Sequence, residues 1–431
     1  MSKEENRKNF SKYVSQNILG MIGFSCYVLA DSYFISIAKG ADGLTALNLV
    51  MPLYSIIFSI GEMIGVGSAI RYAISKIKKD ADVDDYFWNA LIWCIMSSMI
   101  FVFAGIFFSA DIMRVLGADE HIVAVGNNYT KIFMCFAPMF MCNYVTNAFV
   151  RNDGAPGIAM SATLFSSLFN IVFDYILMFP MNLGMEGAAL ATALSPIIGM
   201  GICSIHFFSK KSSVRLVVCK PSVRKLVAGC QLGVSAFVGE MSSAVITLAF
   251  NFVILKLTGN VGVAAYGVVA NIAIVTTAVF NGVAQGSQPL ISSCFGRGDK
   301  DGCTQLKRMG YTTAFVLAAV MYSILFIFAG QFVAVFNSEG SEMLRLYATE
   351  GVKLYFIGIF FAGINIVGGG AFSATEDAFK AAVVSVARGF VLILGAVFVM
   401  SALFGMTGVW LAYAVAEGIT TFIMLVMALR V

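Results

Sequence analysis

The sequence predicts an all-α polytopic membrane protein with twelve transmembrane helices. Of its 431 residues, 59% are hydrophobic and only 12% are charged, whereas soluble domains carry about 25% charged residues. The mean hydropathy is +0.86. Each long apolar run can cross a bilayer, which takes about 20 helical residues. No short apolar core precedes a small-residue cleavage site, so we expect no removable signal peptide.

The predicted helices form two groups of six, separated by a basic linker. The first six are expected near 14–38, 45–70, 86–110, 120–149, 157–180 and 184–208. The second six are expected near 226–256, 261–292, 306–336, 343–373, 380–403 and 405–429. The chain therefore divides into an N-terminal lobe (1–208), a cytoplasmic linker (209–225) and a C-terminal lobe (226–431).

Lysine and arginine are unevenly distributed between the two sets of connections, which predicts the orientation. The predicted inner set is Lys3, Arg7, Lys8, Lys12, Arg71, Lys76, Lys78, Lys79, Arg151, Lys210, Lys211, Arg215, Lys220, Arg224, Lys225, Arg297, Lys300, Lys307, Arg308, Lys380 and Arg430. The outer set is only Lys39, Arg114, Lys256, Arg345 and Lys353. We therefore expect both termini in the cytoplasm, most consistently at a bacterial inner membrane.

The two halves of the chain resemble each other. The segment "LGMEGAALATALSP" (183–196) matches "FGMTGVWLAYAVAE" (404–417), which aligns Gly184 with Gly405. At nearly the same offset, "GLTALNLVMP" (43–52) matches "GVAAYGVVAN" (262–271). Because each half has an even number of spans, the repeats are parallel. Secondary transporters with such repeats place their substrate site between the halves.

Ionisable residues inside the predicted helices are the main functional signal. A charge at the bilayer centre costs at least ~2.5 kcal/mol, so such residues usually face a cavity or a partner. The candidates are Asp31, Glu62, Lys131, Asp174, Glu240, Arg388 and Glu417. Ser166, Asn170 and Asp174 recur every four residues and form one polar stripe. Together with Asp31 and Thr192, Asn170 and Asp174 would make an oxygen-only cluster suited to a proton or a hard cation such as Na⁺.

Structural alternatives exist for several of these residues. The acids can simply pair with buried bases to fix helix packing, and Glu417 with Arg388 on the adjacent helix is one such pair. Glu62 can lie near the cytoplasmic end of its helix, and Lys131 is expected to extend toward an interface. Glu62, Glu240, Arg388 and Glu417 therefore remain candidates for substrate binding or secondary coupling.

Enzymatic and metal-centre functions are not supported by the sequence. His121 and His206 are isolated and are interpreted as incidental, and the nine cysteines contain no CxxC pair. HExxH and GxSxG motifs are absent. We therefore predict no enzyme activity, no resident cofactor or metal, and no nucleic-acid partner.

The segments that carry these features resemble the MATE family, the multidrug and toxic compound extrusion transporters. The resemblance covers essentially the whole chain and is most specific in "NAFVRNDGAPGIAM…NIVFDYILMFPMNLGMEGAALAT" (147–192). It implies two six-helix lobes around a central cavity that opens alternately to either side. It also implies export of organic, often cationic, compounds in exchange for H⁺ or Na⁺, within a lipid bilayer and, by default, as a monomer.

In the branch of the family with a cation site in the N-terminal lobe, the positions that act match Asp31, Asn170, Asp174 and Thr192. A C-terminal-lobe site uses acids in helices 7 and 10, but Glu240 departs from the expected spacing and helix 10 contains no acid. The alternative function is a flippase for a lipid-linked sugar or another amphipathic substrate. The low number of intramembrane bases argues against it, since only Lys131 and Arg388 are predicted.

Overall fold

The computed structural model describes residues 3–80, 82–336 and 341–429, and helices account for most of them. Arg430, one of the bases in the predicted inner set, lies outside these residues. The N-terminal half contains α1 (Lys3–Gly40), α2 (Asp42–Lys78), α3 (Asp85–Val115), α5 (Pro156–Met178) and α6 (Gly184–Phe207). Between α3 and α5, α4 consists of Glu120–Cys135 and Ala137–Asn152, which meet at a bend of 46°.

The C-terminal half repeats this arrangement. The helical stretch Val223–Gly296 is interrupted at Gly259, which gives α7 (223–258) and α8 (260–296). Next come α9 (Lys300–Ile327 with Ala329–Phe336) and α10 (Glu342–Tyr355 with Ile359–Ala374). Finally, α11 (378–404) and α12 (406–429) are separated at Gly405.

The helices amount to twelve membrane crossings. Nine described helices are long and apolar enough to span a membrane, and the bent α4 pair makes a tenth. Two of the nine are 74 and 51 residues long. At 1.5 Å per residue, each far exceeds the ~30 Å bilayer core, so each must cross twice. The stacking of Phe250 on Tyr266, with ring centroids 5.0 Å apart, brings α7 and α8 side by side.

Four glycines mark the turns at one end of the molecule, which we call the hairpin end. Gly40, Gly184, Gly259 and Gly405 have φ values of +58°, +53°, +67° and +59°. This left-handed region is open to glycine without steric cost. Gly184 and Gly405 are the pair that the sequence repeat aligned, so the repeat extends to backbone conformation. The fold class predicted from the sequence is confirmed.

Several predicted helix boundaries were wrong. The first helix begins at Lys3, a full three turns before the predicted residue 14, because Phe10 and Val14 are buried against the C-terminal half. The predicted helix 120–149 is bent at Phe136 and extends to Asn152. The predicted helix 306–336 begins at Lys300 and breaks at Phe328.

The two lobes meet at the end opposite to the hairpin end, which we call the linker end because the linker connects α6 to α7 there. Backbones touch where α2 crosses α7, since a Cβ on Gly67 would lie 2.0 Å from the carbonyl oxygen of Gly229. They also touch where α1 crosses α8, at Gly282 and Gly286. Within the described residues, the hydrogen bonds and ion pairs that join the lobes lie in the linker half. The polar contacts between the lobes are therefore concentrated at the linker end.

Candidate ion and substrate sites

Three helices of the N-terminal lobe bring the predicted polar cluster together. Asp31 comes from α1, Asn170 and Asp174 from α5, and Thr192 from α6. Their exposed fractions are 6%, 0%, 0% and 2%, so the cluster is almost completely buried. The carboxylates of Asp31 and Asp174 are close enough to repel each other when both are charged. The structure thus assembles the four residues that the sequence assigned to a cation or proton site.

Asn170 is the bridge inside this cluster. It lies within 3.1 Å of Thr192 Oγ1 and 3.0 Å of Asp174 Oδ2. When the amide nitrogen faces Asp174, it donates to the carboxylate while the amide oxygen accepts from Thr192. Oδ1 of Asp174 and Oδ1 of Asp31 are buried without a hydrogen-bond donor among the described residues. Both oxygens are therefore available to a proton or a cation.

A proline in α6 shapes the backbone beside the cluster. Pro196 has no N–H, so it cannot donate to the carbonyl oxygen of Thr192 one turn earlier. The hydroxyl of Ser195 donates to that carbonyl instead, at 3.0 Å. The carbonyl of Ser195 in turn accepts from Ser166 on α5, at 2.6 Å. These bonds connect α5 to α6 directly below the cluster.

A cavity lined by both apolar and polar side chains lies next to the cluster, on its linker side. Tyr27 and Ser166 line it, and each stands one helical turn before a residue of the cluster. Two acids face the same space, Glu62 from α2 and Glu240 from α7. Of the secondary candidates from the sequence, the structure thus places these two together, on walls contributed by opposite lobes.

Three further polar residues of this cavity were missed by the sequence analysis. Nη1 of Arg151 donates to Gln285 Oε1 at 2.6 Å and to Asn17 Oδ1 at 3.3 Å. Nε2 of Gln285 donates to Glu62 Oε1 at 3.2 Å. The sequence predicts Arg151 in an inner loop, because the predicted helix 120–149 ends before it. In the structure it occupies the last turn of α4 and is 5% exposed.

The other two candidates, Arg388 and Glu417, form an ion pair inside the C-terminal lobe. Nη2 of Arg388 donates to Glu417 Oε1 at 2.8 Å, and Nε donates to the same oxygen at 3.0 Å. Asn365 donates to Glu417 Oε2 at 2.7 Å and accepts from Thr421. The pairing that the sequence left open is therefore present. The role of Asn365, on α10, could not be predicted from the sequence, because a single uncharged amide in an apolar helix does not indicate a partner.

The loop between α4 and α5 carries a buried acid at the linker end. Asp153 accepts from Lys76 Nζ at 2.7 Å, from His206 Nε2 at 2.8 Å and from the backbone N–H of Ser213 at 2.8 Å. Burial disfavours its charge, but these hydrogen bonds outweigh that effect and hold its pKa below the ordinary value of 3.8. His206, interpreted from the sequence as incidental, is a partner in this cluster.

The remaining polar candidates have no role in the cavity. Lys131 is exposed and does not line the cavity. His121 is exposed and pairs with Asp42 across 3.0 Å. Among the residues that the structure describes, no three His, Cys, Asp or Glu side chains are placed to hold a metal ion.

A profile of the MatE family matches residues 17–176 and 236–399, which is most of both lobes. The chain belongs to this family. Its resemblance to MATE transporters, stated above from the sequence, is confirmed, and the family consists of transporters rather than enzymes.

Relatives of known function are similar over nearly the whole chain. The multidrug export protein MepA of Staphylococcus aureus (strain MRSA252) is 27% identical over 414 residues, which cover 93% of this chain and 89% of that protein. MepA of Staphylococcus saprophyticus is 26% identical over 405 residues, with the same two coverages.

Solved structures of MATE transporters share the fold. The outward-facing conformation of a multidrug resistance MATE transporter of the MOP superfamily superposes with a TM-score of 0.92 at 20% identity, over 99% of this chain and 96% of that one. A MOP-superfamily transporter from Pyrococcus furiosus, described as having a binding pocket of reverse polarity, gives 0.91 at 19% identity, over 99% and 95%.

Proposed function

We propose that this MATE protein is a cation-coupled antiporter that exports organic, cationic or amphipathic compounds by alternating access. The single observation that carries the proposal is the buried cluster of Asp31, Asn170, Asp174 and Thr192. It is sealed from solvent, contains only oxygen and amide groups, and has two carboxylate oxygens without a donor. Among the described residues no base pairs with Asp31 or Asp174, so the hydrogen bond that joins α5 to α6 through Asn170 does not account for the two buried acids.

H⁺ and Na⁺ both fit this donor set. A proton would neutralise one of two neighbouring carboxylates, which relieves the repulsion between Asp31 and Asp174. A sodium ion would take the carboxylate, amide and hydroxyl oxygens that hard cations prefer. Either ion would act as the coupling ion, and no resident cofactor is needed.

The orientation follows from the bases at the linker end, where Lys76, Lys78 and the linker lysines lie. We infer that this end is cytoplasmic, that the membrane is a bacterial inner membrane, and that the protein acts as a monomer on small organic substrates. The backbone and polar contacts between the lobes lie at the linker end, so we infer that this conformation is open at the hairpin end, toward the outside. MepA, described as a multidrug export protein, supports the same direction of transport.

The test is efflux of a fluorescent organic cation from liposomes that contain the purified protein, under imposed pH or Na⁺ gradients. Asp174→Asn and Asp31→Asn should each abolish gradient-driven movement. Asp111→Asn is the matched control, since Asp111 is 63% exposed and pairs with Arg114 away from the cluster.

Each outcome has a separate meaning. If transport persists in both variants at the wild-type rate, the N-terminal-lobe coupling site is wrong. If the wild type moves no organic cation under either gradient but does flip a lipid-linked sugar, the antiporter proposal fails and the flippase replaces it.

A further inference from the structure

Arg151 is an unusual charge for the place that it occupies. It is the only base among the described residues that line the cavity, and its side chain is almost fully buried. The bases predicted inside the membrane lie elsewhere: Lys131 is exposed, and Arg388 is neutralised by Glu417. Arg151 is therefore a buried base in addition to Lys131 and Arg388, the two that the sequence predicts inside the membrane.

The guanidinium of Arg151 is incompletely satisfied. Its two hydrogen-bond acceptors, Gln285 and Asn17, are both neutral amides. Among the described residues, no carboxylate lies within ion-pair distance of it, and its Nε is buried without a partner. Buried arginines are normally paired with a carboxylate, because an uncompensated buried charge is costly. The planar fork of five donors suits the two oxygens of a carboxylate.

The acids of the cavity do not fill this role. Glu62 accepts from Nε2 of Gln285, so the amide stands between Glu62 and Arg151 and contacts both. Glu240, on the wall from the other lobe, has no hydrogen-bond or ion-pair partner among the described residues. The cavity thus presents acids and a base that do not neutralise each other by direct contact.

We propose that Arg151 binds an anionic group of the exported compound while Glu62 and Glu240 bind its cationic group. The preferred substrates are then amphoteric organic compounds, with an amine or iminium at one side and a carboxylate at the other. The inference rests on the proposed export function and adds a substrate class to it. A cation without the acidic group occupies the same cavity but leaves Arg151 unpaired.

The experiment compares two fluorescent probes that differ only at the acid. Tetramethylrhodamine carries a free carboxylate, and its methyl ester is a simple cation. Binding to the purified protein is measured by fluorescence polarisation, and gradient-driven efflux is measured in liposomes. The wild type should bind the free acid more tightly than the ester, by about tenfold to hundredfold, which is the range for a hydrogen-bonded charged group.

Arg151→Gln should remove this preference, and Arg151→Lys, which keeps the charge but not the fork, should restore part of it. Gln285→Glu is an independent variant, because it places a carboxylate on Arg151 and should occupy the subsite without removing the base. Lys131→Gln is the control, since that base is exposed and outside the cavity, and it should leave the ratio unchanged.

The inference is overturned if wild type prefers the ester, or if Arg151→Gln weakens both probes by the same factor. It is also overturned if Gln285→Glu leaves the preference intact. Failure of the proposed export function looks different: neither probe moves under any gradient, while the binding preference measured by polarisation still reports on Arg151.

Discussion

Replacing Gly67 by alanine should shift the conformational equilibrium away from the state closed at the linker end. A Cβ at this position would lie 2.0 Å from the carbonyl oxygen of Gly229 and 2.7 Å from the nitrogen of Gly233. Ordinary contacts begin at 3.4 Å, so α2 and α7 would have to separate by about 1.4 Å. Both obstacles are backbone atoms of a helix, which cannot rotate away as a side chain can.

The size of the shift follows from the cost of overpacking, which is typically ~1–3 kcal/mol. Because the clash exists only where the lobes touch, the whole cost falls on the closed state. An energy difference of that size changes a two-state ratio by about 5- to 150-fold. Transport should fall as well, since the cycle must pass through this state.

Distances between the hairpin ends of the two lobes provide the assay. Spin labels at Lys39→Cys and Asn260→Cys, both at exposed positions, would be measured by pulsed electron resonance in a cysteine-free background. Gly67→Ala should increase the population of short distances. Gly239→Ala on α7 is the matched control, since a Cβ there meets nothing within 4 Å. If Gly67→Ala is folded and its distance distribution equals that of wild type, the steric argument is refuted.

Three further predictions concern single contacts. Glu376→Gln removes the ion pairs of Glu376 with Arg71 and Lys78, which join the lobes at the linker end. Because these side chains are partly exposed, the state closed at the linker end should be destabilised by at most ~1 kcal/mol. The same spin-label distances measure this shift, and a shift larger than that of Gly67→Ala would contradict the prediction. Asp153→Asn should destabilise the protein by ~3–5 kcal/mol, as expected when a buried ion pair is broken, whereas Asp111→Asn should leave the melting temperature unchanged. The pKa of Asp153 is lower in the folded state, so the contribution of its carboxylate is present above the ordinary value of 3.8 and is lost as the pH falls through the folded value. The difference in melting temperature between wild type and Asp153→Asn should therefore shrink as the pH falls below about 4. Gly405→Ala should lower the free energy of unfolding by ~1–2 kcal/mol through backbone strain alone, because the φ of Gly405 is +59° and no atom lies within 4 Å of the added Cβ. Gly395→Ala is the control: the space around its Cβ is equally open and its φ is not positive, so its melting temperature should not fall.

The N-terminal-lobe cluster could be predicted because its signal is local. Asn170 and Asp174 are one turn apart in a mostly apolar helix. A carboxylate there indicates function, because placing its charge inside the membrane costs free energy. Asp31 is a second carboxylate inside an apolar helix, and Thr192 follows the turn at Gly184; the family resemblance pointed to the same two residues, and the structure brings them to this cluster. The turn at Gly184 was visible from its repeat partner Gly405. Features that depend on periodicity within one helix, or on the repeat, were therefore accessible from sequence.

The contacts of Gln285 with Arg151 and Glu62 in the cavity could not be predicted from the sequence in this way. Gln285 lies in a segment whose sequence, "GVAQGSQP", reads as a glycine-rich packing helix, and its amide carries no charge to mark it. It contacts Arg151 and Glu62, which are 134 and 223 residues away in the chain. Arg151 was predicted in a loop because the predicted helix ends at residue 149, whereas the observed helix continues for three more residues, to Asn152. Contacts between lobes depend on their relative placement, which local patterns do not encode.

The buried cluster and the cavity share two helices, α1 and α5, which suggests how the two sites can be coupled. Tyr27 faces the cavity one turn before Asp31, and Ser166 does so one turn before Asn170. A proton or cation that changes the repulsion between Asp31 and Asp174 must therefore act on α1 and α5, the helices that form the cavity wall. Coupling requires that the ion favour one conformation over the other, since equal affinity for both shifts nothing. We expect binding of an organic cation at Glu62 and binding of the ion at Asp174 to weaken each other by the same factor, because linkage between two binding sites is reciprocal. Titration of each ligand in the presence of the other would measure that factor, and a value of one would mean that the cluster and the cavity are independent.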